Sequence, residues 1–297
     1  IINDWMKSLW PELQEAGSYQ AAISYFEPEK LTDFYERRRL VLEKNLENNN
    51  QTGKEKEYLL QIDDKVIRPF HYGWIRGWQT LLSITIDTSA ESMALFLAIV
   101  LSTLFAGEWY DNTSSLVLTT KNGWKKIAVA KIVTGLAFTV ELFAIIAFSD
   151  IASQLFFMGT TGWDMPVQLM KLTAIAPMNM LQAEIYEWAF TLLGMIGFAG
   201  VVMLISSMVK SNVLALLLSL AVVYVPTLID PYLPFGLQKA LSLIPLVGSG
   251  TDIFRTYTFH IFEKIIWSPY LLLTVPVLIG IVCMPFAVKK WARRSKA

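Results

Sequence analysis

Between Glu187 and Lys210 the chain runs for 22 residues without a charged side chain. A stretch of that length admits few solutions. As an α-helix it extends about 33 Å, enough to cross the hydrocarbon core of a bilayer, and a helix satisfies its own backbone polar groups where no water can. Four further apolar segments obey the same rule. The sequence therefore predicts an all-α membrane protein, a helical bundle with spans at about 81–107, 127–149, 188–209, 213–229 and 265–288. With 54% of its 297 residues hydrophobic, the chain is also more apolar than a soluble domain.

Charge is concentrated elsewhere. Residues 1–87 carry 11 Lys and Arg and 14 Asp and Glu, half of all charges. This predicts a polar helical domain over residues 1–80, followed by a transmembrane domain over 81–297. Within the polar part, Leu31, Phe34, Tyr35, Val41, Leu42 and Leu46 share one helical face, and Tyr58, Leu59, Ile62 and Val66 another. Asn48, Asn49, Asn50 and Gly53 separate them, so a helical hairpin is expected. Arg37, Arg38 and Arg39 read as a solvated face paired with Glu36, Glu43 and Glu47, with anionic lipid as the alternative partner. Phe70, His71, Tyr72, Trp74 and Trp78 form an aromatic belt of the kind found at a membrane entry.

The segment between the first two spans sets the orientation. It holds Lys121, Lys125, Lys126 and Lys131, and lies on the same side as Lys210 and the basic tail after Val288. Together these hold ten Lys and Arg, whereas the opposite side past residue 150 holds four. The excess of positive charge marks the cytoplasmic face. Residues 1–80 are then outside and the C-terminus inside. Because the chain opens on Ile1, a further span upstream is expected, giving six.

Several chemistries find no support. There is no Gly-x-x-x-x-Gly-Lys-Ser/Thr phosphate loop, no His-Glu-x-x-His and no Gly-x-Ser-x-Gly. The single Cys283 and the two histidines, His71 and His260, offer no metal set and no disulfide. The formal net charge of zero gives no argument for nucleic acid. No catalytic residue is expected. Glu141, inside the second span, is the intramembrane acid to explain, either as a functional group or as a hydrogen-bonding acid facing a neighbouring helix. Gly194, Gly197 and Gly200 recur every third residue, which permits close helix contact. Residues 159–187 read as a connecting loop with a short surface helix over 167–174, and Pro269, Pro276 and Pro285 as kinks in the last span.

Glu108 at the end of the first span, Thr113, the run Leu116-Val117-Leu118-Thr119-Thr120, then Trp124-Lys125-Lys126 and Lys131 together resemble the permeases of type-2 ATP-binding-cassette exporters. Asn112 and Lys121-Asn122-Gly123 depart from that pattern. The resemblance implies that residues 107–126 form a cytoplasmic coupling loop docked on a partner ATPase. Glu108 would be its polar anchor, Leu116, Val117 and Leu118 its apolar face, and Trp109, Thr113, Lys125 and Lys126 further docking residues. It also implies two copies of an ATP-binding subunit, which carry the ATP and Mg, no cofactor in this chain, and a second permease, identical or homologous. The setting would be a bacterial cell membrane and the cargo a peptide, antibiotic or lipid-like molecule. Two other functions remain open: an ion-coupled secondary transporter using Glu141, with Asp150 beside it, and a peptide-sensing membrane subunit without transport.

Overall fold

The computed structural model describes residues 9–10, 33–71, 73–85, 90–111, 113, 125–247 and 252–294. Among these, nine helices form: α1 (Phe34–Asn48), α2 (Lys54–Asp63), α3 (Arg76–Ile84), α4 (Ala90–Tyr110), α5 (Lys125–Met158), α6 (Met180–Met208), α7 (Asn212–Ile229), α8 (Phe235–Leu241) and α9 (Ser268–Arg294). One antiparallel hairpin, β1 (Thr258–Ile261) and β2 (Lys264–Trp267), is the only sheet in the described residues. Five helices are long and apolar enough to cross a membrane: α4 through α7, and α9. The chain divides into a polar unit of residues 1–79, 161–183 and 253–268, and a membrane unit of residues 80–160, 184–252 and 269–297.

In the membrane unit, α4 is the centre. Ala90, Met93, Ala94, Leu97, Ala98, Leu101 and Phe105 are buried at steps of three and four, while Phe96, Ile99 and Val100 point outward. The buried face packs with α5 and α7 and shares a core with Phe198, Val202 and Met203 of α6. One hydroxyl ties α4 to α6. Ser206 Oγ donates to the Ser102 carbonyl at 2.7 Å and accepts from the Phe105 and Ala106 amides at 3.0 and 3.1 Å. The glycine spacing on α6 also finds its reason here. A Cβ on Gly197 would stand 2.3 Å from the Pro276 carbonyl oxygen, and one on Gly200 2.4 Å from that of Gly280, so α6 and α9 meet backbone to backbone. Large apolar side chains on α5, including Val133, Val140, Phe148 and Phe156, are exposed, which is stable only against lipid or another apolar surface.

Several boundaries differ from those the sequence predicts. The second span continues as one helix through Met158, because Ile151 to Phe157 are uncharged and free of Gly and Pro, and the first helix breaker is Gly159. The third begins at Met180, so Glu184 and Glu187 lie in a helix and not in a connecting loop. Asn179 Oδ1 accepts from the Gln182 amide and Gln182 Oε1 from the Asn179 amide, a reciprocal cap that starts the helix eight residues early. The last span begins at Ser268, not at residue 265. Lys264 to Trp267 instead pair with β1, and Pro269 sits in the first helical turn, where its missing donor costs nothing. Pro276 and Pro285 lie inside α9 without ending it.

In the polar unit, α1 and α2 form the expected hairpin around Leu42, Leu46, Leu59 and Ile62. Of the arginine triplet, Arg37 and Arg39 remain partly exposed and Arg39 pairs with Glu43 as expected, but Arg38 is not on a solvated face. Arg38 is fully enclosed, gripping Asp63 at 2.6 and 2.9 Å and donating to the carbonyls of Leu172 (2.8 Å) and Ala174 (3.0 Å). Arg37 pairs with Asp33 and Arg39 with Asp64, so all three guanidinium groups have carboxylate partners in the chain. Helical periodicity placed Arg38 with its neighbours; a long-range carboxylate at position 63 draws it inward. The expected surface helix over 167–174 is a single buried turn, Val167–Leu169. β2 packs on α2, and from β1 Thr258 donates to Gln51 at 3.0 Å and His260 pairs with Glu55 at 2.6 Å.

Candidate functional site: a clasp at the base of the lysine-bearing segment

Glu108 lies in the last turn of α4 and Lys131 in the second turn of α5. These two residues meet: Lys131 Nζ lies 2.5 Å from Glu108 Oε1. Lys131 also donates to the Leu104 carbonyl, and its ammonium sits 5.1 Å from the Phe105 ring centre and 5.2 Å from that of Trp291. A lysine one and a half turns into an apolar helix needs such a set, since its charge is drawn from water and only a carboxylate, a carbonyl and two π-faces replace the solvent. Trp291 closes the group from α9. Its ring lies 5.5 Å from Phe105 and 5.7 Å from Trp109, and Lys210 stands 5.7 Å over Trp109 from the α6–α7 turn. Four elements thus converge on one polar and aromatic knot.

Two acceptors in this region are buried without a hydrogen-bond donor, Glu108 Oε2 and Asn212 Oδ1. The Ser211 side chain caps α7 beside it by accepting from the Leu214 amide. The clasp therefore has acceptor capacity left over on the side of α7.

The docking residues fall into three groups. Glu108 and Trp109 are engaged within the chain, Glu108 with Lys131 and Trp109 with Trp291. Thr113, Lys125 and Lys126 are exposed, the Thr113 hydroxyl making only a long contact to the Glu108 carbonyl at 3.4 Å. Leu116, Val117 and Leu118 lie outside the described residues. Lys125 and Lys126 occupy the first turn of α5 with no acidic residue beside them there. Cations at a helix N-terminus oppose the macrodipole by a few tenths of a kcal/mol each, about 0.3–1. Helix stability does not account for them. Trp291 and Lys210 were invisible as partners because the sequence separates them from Glu108 by more than 100 residues.

Glu141 lies at the midpoint of α5 with its side chain exposed and no ion pair or hydrogen bond among the described residues. It does not face the interior of this chain. The acid that does is Glu184, fully buried, which accepts from the Thr85 hydroxyl at 2.6 Å. Glu187, one turn further on, is also buried. The spacing of these acids with buried Met180, Ala183 and Phe190 is the helical signal that a loop assignment obscured. No group of three or more His, Cys, Asp and Glu side chains among the described residues is arranged to hold a metal ion. Compared with protein families, curated proteins and solved structures, the chain matches none.

Proposed function

We propose that this chain is the membrane-spanning permease subunit of an ATP-driven exporter, powered by two copies of a separate ATP-binding-cassette ATPase. The observation that supports the reading most is the Glu108–Lys131 clasp. It locks the last turn of α4 to the second turn of α5, with Trp291 of α9 against it, so a push delivered at the base of the 107–126 segment reaches α4, α5 and α9 together. A loop tied in this way transmits force; a slack connector would absorb it. The exposed Lys125 and Lys126, unfavourable for their own helix, are suited to an acidic partner surface. The positive side is cytoplasmic, and the polar unit is outside. The outward-facing Glu141 supports pairing with a second permease chain, because an ionisable group at mid-span is retained where protein or water covers it.

The test is co-purification through a tag on this chain from its native membranes. An ATP-binding-cassette subunit is expected with the native chain and lost with Val117→Asp or with Lys125→Glu/Lys126→Glu. If the subunit never accompanies the native chain, or if both variants retain it fully, docking by this segment is wrong.

A second reading, ion-coupled transport, is favoured by one observation, the buried Glu184–Thr85 pair. It shifts the carrier from Glu141 to Glu184. Uptake or efflux that follows a proton gradient without ATP, and stops with Glu184→Gln, would select it.

A further inference from the structure

The polar unit contains a cavity of about 300 Å³ that none of the preceding function uses. It lies between the segment after α2 and the two strands of chain that precede α6. Its frame is fixed by main-chain bonds. Val167 donates to the Met178 carbonyl at 3.1 Å, Met180 to that of Met165 at 2.9 Å, and Leu181 to that of Trp163 at 3.0 Å. Gly162, at φ +89°, holds the turn where a Cβ would come within 2.2 Å of the Trp74 carbonyl oxygen. The Asn179–Gln182 reciprocal cap closes the far side. The cavity is thus formed before any ligand arrives, which lowers the ordering cost of binding.

Its chemistry is uneven. Ile67, Pro69, Pro166, Pro177 and Met178 supply rigid apolar wall. Asp164 and His71 line it with no ion pair or hydrogen bond among the described residues, and among those residues no Lys or Arg lines it. Gln168 lies beneath, its orientation set by donation to the carbonyls of Ala174 (3.1 Å) and Ala176 (2.7 Å), which leaves Oε1 as a buried acceptor without a donor. An uncommitted carboxylate and an unfilled acceptor beside an apolar wall call for a cationic donor on an apolar stem. An anion would meet Asp164 without a compensating cation, which disfavours phosphate-bearing headgroups.

We propose that this cavity binds a primary alkylammonium group, either that of a free amine or that of a lysine side chain on a peptide. Asp164 would receive the ammonium and the Pro and Ile67 wall its methylenes. The test is isothermal titration of the full chain in detergent with two probes, n-hexylamine and an acetylated, amidated Leu-Lys-Leu tripeptide. Hexanoate and Leu-Glu-Leu serve as controls. Saturable binding is expected for at least one cationic probe and for neither control. Asp164→Asn, an exposed position, should weaken it by about threefold to fivefold, the worth of one solvent-accessible charge pair. Ile67→Ser should weaken it as well, and Asp230→Asn, whose carboxylate does not line the cavity, should leave it unchanged. Binding of hexylamine alone identifies a free amine as the source; tighter binding of the tripeptide identifies a peptide lysine. No saturable binding of either probe, equal binding of the controls, or indifference to Asp164→Asn would overturn the proposal. The titration contains no ATPase and no ion gradient, so its outcome is independent of the exporter reading.

Discussion

Replacing Arg38 by Ala removes four hydrogen bonds at once, two to Asp63 and one each to the Leu172 and Ala174 carbonyls. Ala174 keeps the Gln168 donor and Asp63 keeps Arg68 at 2.9 Å, so the loss is not total. What remains is a fully enclosed carboxylate with one partly exposed partner and a Leu172 carbonyl without its side-chain donor. Breaking a buried pair in this way costs about 3–5 kcal/mol. Arg39 is the internal comparison. Its pair with Asp64 lies at 2.7 Å but both side chains are well exposed, 38% and 52%, and its loss should cost no more than about 1 kcal/mol. Hydrogen exchange of the full chain in detergent reads both. Amides of α1 and α2 should exchange about 100- to 4,000-fold faster in Arg38→Ala, and about fivefold faster at most in Arg39→Ala. Arg38→Met combined with Asp63→Leu should restore much of the protection, since an apolar pair removes the stranded charge. Equal acceleration by the two single variants would refute the argument, for it would mean that burial of Arg38 carries no energetic weight.

Three further outcomes concern the clasp, the helix packing and the orientation. Lys131→Met leaves Glu108 without its cation and should lower stability by about 1.5–3 kcal/mol, read as earlier thermal unfolding in detergent, with Glu108→Gln in the same chain recovering part of it. Gly197→Ala drives a methyl into the Pro276 carbonyl and should cost about 1–3 kcal/mol, whereas Gly236→Ala, in open space, should be nearly silent. In a Cys283→Ser background, a cysteine at Lys125 should react with an impermeant maleimide only from the cytoplasmic face and one at Ile67 only from outside. The opposite pattern would reverse the proposed orientation.

The spans were legible because a bilayer demands about twenty apolar residues, and that demand is written in local composition. Their ends were not. Hydropathy places residues 265–267 in a span and 180–187 in a loop, because it does not register a strand pairing with Thr258 or a cap closed between Asn179 and Gln182. The polar unit was harder still. It draws on three separate stretches, joined by contacts such as Arg38 to Leu172 and Thr258 to Gln51, and no periodicity in residues 1–80 reveals a partner 134 or 207 positions away. The same distance hid the clasp. Glu108 stands out only through the resemblance of its stretch to exporter permeases, and its ties to Trp291 and Lys210 through Lys131 and Trp109 exist only in the fold. Composition singles out Glu141 as the acid inside a span, and its side chain is exposed on this chain, whereas Glu184, which composition assigns to a loop, is buried.

In the proposed function, a partner's ATP hydrolysis is coupled to movement of the spans through the clasped segment. ATP hydrolysis by the complex purified through a tag on this chain tests it most directly. Vanadate-sensitive hydrolysis is expected with the native chain. Glu108→Ala/Lys131→Ala should keep the ATPase bound but reduce its rate severalfold, because the loop docks without transmitting. Native preparations that contain no ATPase and hydrolyse no ATP would contradict the account.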